Sequence, residues 1–143
     1  MPTAQADMLA DPTTVERLSS QFAHLFETFD VGDDVCADDI FLDLNMPVWR
    51  FQLQGREAFA AQLRRINRGP VRIDVTRTVP TASGFVTEHV EHQQVGDDDI
   101  FARKIWLCEV DDGQIVHATC YCTGEWDDAL RARHAVEAPM LRP

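Results

Sequence analysis

GFVTEHVEHQQVGDDDIFARKIWLCEVDDGQIVHATCYCTG, Gly84 to Gly124, is the stretch that decides the fold. It reads as a meander of strands, Gly84 to Gln94, Ile100 to Val110 and Gln114 to Gly124. Apolar and polar residues alternate along each, as half-buried strands require. Titratable groups stand among the apolar ones: Glu88-His89-Val90-Glu91-His92, Arg103 and Cys120-Tyr121-Cys122. Polar groups on an otherwise apolar face point to a pocket.

Asp112-Gly113 is a strong signal for a tight hairpin turn. Counting outward from it, Asp111 pairs with Gln114, Val110 with Ile115, Leu107 with Ala118, Ile105 with Cys120 and Arg103 with Cys122. One face then carries Phe101, Arg103, Ile105, Leu107, Val116, Ala118, Cys120 and Cys122. An arginine there needs a carboxylate, because an unpaired buried charge is costly. The other face carries Trp106, Cys108, Val110, Ile115, His117, Thr119 and Tyr121. It is too apolar to be simply solvated, and a homodimer interface accounts for it.

The first hairpin has two registers. A loop from Val95 to Asp99 sets Glu91 opposite Arg103 and turns Thr87, His89 and Glu91 inward. A loop one residue shorter turns Val86, Glu88, Val90 and His92 inward instead, since a one-residue slip flips every side chain. Hydrophobicity favours the second, and the need to pair Arg103 favours the first.

Upstream, residues 1–11 read as a flexible lead. Asp11-Pro12 opens a helix, with an acid at the cap and proline at the first helical position. Val15, Leu18, Phe22, Leu25, Phe26 and Phe29 recur at helical spacing. A short helix is expected at Asp33 to Asp39, then an extended segment from Ile40 to Leu44. Trp49, Phe51 and Leu53 alternate as a strand, Arg56 to Asn67 reads as a second amphipathic helix, and Val71, Ile73 and Val75 begin a further strand. Residues 128–143 form a tail whose beginning reads as a short helix.

The chain has 143 residues, of which 45% are hydrophobic and 26% charged, which suits one globular domain over residues 12–127. The net charge of -11 repels phosphates, so no nucleic-acid partner is expected. No apolar run reaches the roughly 20 residues of a membrane span. The first residues lack the basic-then-apolar pattern of a secretory signal, and the four cysteines lack CxxC spacing. These features predict a cytoplasmic protein with reduced thiols. His89 and His92 face opposite sides of a strand, so they do not chelate one ion. No metal and no cofactor are expected.

The order of helices followed by a long antiparallel sheet resembles the nuclear transport factor 2-like fold, whose members are also called SnoaL-like or ketosteroid isomerase-like. The resemblance spans Pro12 to Asp127 and implies an α+β cone, a curved sheet covered by N-terminal helices. Asn45-Met46-Pro47 with Gly55-Arg56-Glu57-Ala58, and Thr87-Glu88-His89-Val90-Glu91 with Asp112-Gly113-Gln114-Ile115, are similar to the limonene-1,2-epoxide hydrolase family. That family uses an Asp–Arg–Asp set with a Tyr and an Asn. Carried over by position, the Asn falls at Asn45, the Tyr at Asp43, the Arg at His89, its neighbouring Asp at Glu91 and the water-activating Asp at Cys120. This chain keeps the Asn and one acid in kind and has lost the base. The resemblance implies the register that turns His89 and Glu91 inward.

His89, Glu91 and Asp43 are therefore the expected catalytic groups: an imidazole that titrates near neutrality and two carboxylates. Asn45, Met46, Trp49, Arg103 and Cys120 are the expected substrate-binding residues. The first functional reading is a cofactor-free acid/base enzyme that opens, isomerises or cyclises a small apolar, oxygenated ligand. The second is a small-molecule-binding protein that keeps the cone without the chemistry.

Overall fold

The computed structural model describes residues 8–142. The expected lead falls mostly on residues 1–7, outside the described residues. The elements are α1 (Pro12–Thr28), β1 (Cys36–Met46), β2 (Trp49–Gln54), α2 (Arg56–Ile66), β3 (Val71–Pro80), β4 (Gly84–Val95), β5 (Asp98–Asp111), β6 (Gln114–Cys122) and α3 (Asp128–Glu137). This is the nuclear transport factor 2-like α+β architecture: one curved sheet with helices against its inner face. The strand order is β2-β1-β6-β5-β4-β3. Only the β1–β6 pair is parallel; the other pairs are antiparallel.

Helix α1 starts where its chemistry predicts. Asp11 caps it by accepting the Thr14 N–H at 2.9 Å, and Pro12 takes the first turn, where no N–H is needed. It ends at Phe29, which adopts φ 60°. Its stripe of Leu18, Phe22, Leu25 and Phe26 is buried against the inner face of the sheet.

The short helix expected at Asp33 to Asp39 does not form. A turn at residues 33–35 leads straight into β1. Cys36 and Ala37 are buried, Ile115 N–H bonds to Val35 O, and Cys36 lies opposite Ile115. Sheet hydrogen bonds and burial override the local preference of the acidic run.

The Asp112-Gly113 turn forms as read, with both residues at positive φ, Asp111 opposite Gln114 and Val110 opposite Ile115. Then a bulge intervenes. Glu109 lies opposite His117, so Val116 is an extra residue. From there Leu107 meets Thr119, Trp106 meets Cys120 and Lys104 meets Cys122. The expected pairs of Leu107 with Ala118, Ile105 with Cys120 and Arg103 with Cys122 are each displaced by one residue.

The bulge reverses the faces of β5. Ala102, Trp106 and Cys108 are buried, with Lys104 on their side, while Arg103, Ile105 and Leu107 are exposed. Ile115 also turns inward. The outer face keeps His117, Thr119 and Tyr121 and gains Ile105 and Leu107. Trp106, Cys108, Val110 and Ile115, expected there, pack in or against the core.

The β4–β5 hairpin turns tightly at Gly96-Asp97, with Val95 opposite Asp98 and Val90 opposite Arg103. That is the offset of the shorter-loop register. Because β5 is flipped, Thr87, His89, Glu91 and Gln93 nevertheless face inward. Two displacements of one residue cancel.

Candidate functional site

The inner face of the sheet, α1 and α2 enclose a cavity of about 470 Å³. This volume suits a small organic ligand. Its apolar wall comes from Phe26 of α1 and Phe29 at the cap that ends it, Leu44 and Met46 of β1, Phe51 and Leu53 of β2, and Phe59 and Leu63 of α2. Each is placed by its element's period: alternate residues on the strands, and one face of each helix.

On the β4–β5 side the wall is polar. Glu91, Gln93 and Lys104 line it, beside Trp106 and Cys122. Lys104 Nζ donates to Glu91 Oε2 at 2.8 Å, with side-chain exposures of 14% and 21%. Glu91 is the diagonal neighbour of Lys104 on one face, a separation long side chains span. Burial is the largest single influence and disfavours the Lys104 charge, but the Glu91 carboxylate together with the Cys120 and Cys122 sulfurs outweighs it and the lysine pKa is raised. Lys104 is therefore an ammonium at neutral pH. One N–H of the ammonium is used by Glu91, which leaves donors for a ligand.

Lys104 is the residue the sequence reading missed. It is the chain's single lysine beside twelve arginines, centred in an apolar strand. The partner expected for Glu91 was Arg103. Arg103 instead points outward, with its guanidinium 5.9 Å from the Phe101 ring centre.

His89 faces inward but does not line the cavity. It is 1% exposed and packs beside the rings of Phe22 and Phe26, 6.0 Å from each. Burial, and then the nearby Lys104 charge, push its pKa down to about 4. The ring is therefore neutral at physiological pH, and its Nε2 has no hydrogen-bond partner among the described residues.

Asp43 and Asn45 lie on the opposite side of β1 from Leu44 and Met46, because successive side chains alternate. Asp43 is held by both arms of Arg50, at 2.8 and 2.7 Å. Those bonds hold its carboxyl below the usual range. Asn45 donates to the carbonyl of Cys120 at 3.2 Å. Neither shares the cavity with Glu91. Met46 lines it. Trp49 shares the inner side with its partner Met46 but sits at the hairpin tip, 71% exposed and beyond the lining. Cys120 is fully buried under the floor, and burial pushes its thiol up to about 12.

No family description and no curated protein sequence matches this chain. Solved structures do resemble it. An LEH-like epoxide hydrolase of M. tuberculosis is 21% identical, matches 90% of this chain and 98% of its own, and has a TM-score of 0.61. An NTF2-like protein of unknown function from Mesorhizobium loti is 20% identical over 78% and 93% of the two chains, with a TM-score of 0.62. A Catenulispora acidiphila protein with a ketosteroid isomerase-like fold, in complex with trimethylamine, is 13% identical over 73% and 83%, with a TM-score of 0.58. At these identities the likeness is one of fold.

Proposed function

We propose that this chain binds a small apolar carbonyl compound in the cone and catalyses proton transfer next to the carbonyl. The observation that carries this reading is the Glu91–Lys104 pair set into an otherwise apolar cavity. Glu91 is the base that takes a proton from the carbon beside the carbonyl. Lys104 donates to the carbonyl oxygen as negative charge develops there. A fixed donor in a water-poor site stabilises an enolate far better than water does. Isomerisation and cyclisation both pass through such an enolate. Epoxide opening fits less well, because a buried thiol of pKa about 12 stands at the position of the family's water-activating acid.

The second reading, binding without catalysis, is favoured by one feature. His89, Asp43 and Asn45 do not line the cavity beside the pair. Deuterium exchange into the ketone benzylacetone, followed by NMR in heavy water, separates the two. Saturable exchange that is lost in Glu91→Gln supports the enzyme. Saturable binding without exchange leaves a carrier. Absence of both removes the cavity reading.

A further inference from the structure

The chain carries twelve arginines and one lysine, and the lysine is Lys104. It stands at an inward position of β5 and lines the cavity, with its Nζ 2.8 Å from Glu91 Oε2. A carboxylate partner alone does not call for this choice. On the outer side Asp43 is held by both arms of Arg50, at 2.8 and 2.7 Å, a grip that an ammonium does not reproduce. What lysine offers and arginine does not is an amine that gives up its proton and attacks carbon.

The geometry meets the other needs of such an attack. The base is already hydrogen-bonded to the nitrogen, as an activated nucleophile requires. A ligand carbonyl whose oxygen accepts from Nζ carries its carbon close behind, near the roughly 3–3.5 Å from which a bond begins to form. Burial already weighs more than any other influence against the Lys104 charge. An apolar ligand in the cavity removes the remaining solvent exposure of both side chains, 14% and 21%, and weighs further against that charge.

We propose that Lys104 forms an imine with small apolar ketones and aldehydes, which rests on the cavity reading above. Without ligand the lysine is an ammonium, and on ligand entry Nζ passes a proton to Glu91. The nitrogen electron pair bonds to the carbonyl carbon, and the carbon–oxygen π pair moves to the oxygen. Glu91 protonates that oxygen and takes a second proton from the nitrogen. It then gives this proton to the new hydroxyl, which leaves as water while the nitrogen lone pair closes a carbon–nitrogen double bond. The net change converts ketone and ammonium into iminium and one water, and no oxidant or reductant is consumed. When Glu91 takes the α-proton, the iminium nitrogen receives the electron pair, so an enamine stands where the enolate would.

The test is incubation of the folded protein with benzylacetone and sodium cyanoborohydride, read by intact mass and peptide mapping. One reduced adduct on Lys104 is expected, saturating with ketone concentration, whereas reaction at the N-terminal amine rises without saturation. Glu91→Gln should slow the Lys104 adduct on the order of 10²-fold. Lys104→Arg keeps the cation and forms no such bond, so the adduct should be absent. A second measurement needs no variant and serves if these misfold. In water enriched in heavy oxygen, each round of imine formation and hydrolysis replaces the oxygen of the ketone. The parent chain should therefore speed that exchange saturably, while the enolate route leaves the oxygen in place. If benzylacetone exchanges its α-protons yet gives neither a Lys104 adduct nor faster oxygen exchange, the imine is overturned and the proton-transfer reading stands. If it does not bind, as read by tryptophan fluorescence, both are overturned.

Discussion

Lowering the pH should destabilise this protein through His89. The ring is 1% exposed, and its pKa falls from the ordinary 6.5 to about 4 in the folded state. The unfolded chain therefore binds a proton between these values that the folded chain refuses. Stability contributed by this group is fully present above pH 6.5 and is lost as the pH falls toward 4. The whole gap is worth about 3 kcal/mol, and about 2 kcal/mol of it is released between about pH 7 and about pH 5. That is a large share of the 5–15 kcal/mol typical of a domain. The comparison is His89→Phe, an aromatic replacement beside Phe22 and Phe26 that also removes the unpartnered Nε2. Urea unfolding at both pH values should show a falling midpoint in the parent chain and a nearly flat one in the variant. Equal slopes would refute the burial argument. The same variant tests the role expected from sequence: α-proton exchange should persist in it if Glu91 is the base, and vanish if His89 is.

Lys104→Met strands a carboxylate in the cavity and should cost about 3 kcal/mol in urea unfolding, the low end for a broken buried pair because both side chains keep some solvent. Glu91→Gln combined with Lys104→Met removes both charges and should recover most of that loss. Deleting Val116 removes the bulge but keeps Glu109 opposite His117, Trp106 opposite Cys120 and Lys104 opposite Cys122, so a folded variant that still binds benzylacetone is expected; loss of cooperative unfolding would contradict the register. The outer sheet face exposes Ile105, Leu107 and Tyr121, and we propose that it pairs with a second copy. Sedimentation should show a dimer that Leu107→Glu dissociates.

The helices and the inward turn of His89 and Glu91 were legible in the sequence, but for unequal reasons. Asp11-Pro12 and the Phe22, Leu25, Phe26 stripe specify α1 locally, so cap and period agree with the fold. The Asp112-Gly113 turn is likewise local and fixes its first two pairs. The face of β5 is not local. Phe101, Ile105 and Leu107 on one side are as apolar as Ala102, Trp106 and Cys108 on the other, and each side carries one cation. Hydrophobic alternation cannot choose between such faces, and the Val116 bulge does. Its trace in sequence is the adjacent pair Ile115-Val116, after which the small inward residues Ala118 and Cys120 fall on the opposite parity from Ile115. A strict two-residue period has no place for both, so one residue of that strand had to be extra. Once it is, Lys104 replaces Arg103 as the cation beside Glu91, and the acid/base pair follows from sheet geometry. Asp43 and Asn45 failed for the opposite reason: they were carried over by position, while β1's own alternation of Leu42, Leu44 and Met46 already assigned them to the outer side. Where a transferred motif and the strand's own period disagree, the period is the physical constraint, because it decides which side chains can reach a ligand at all.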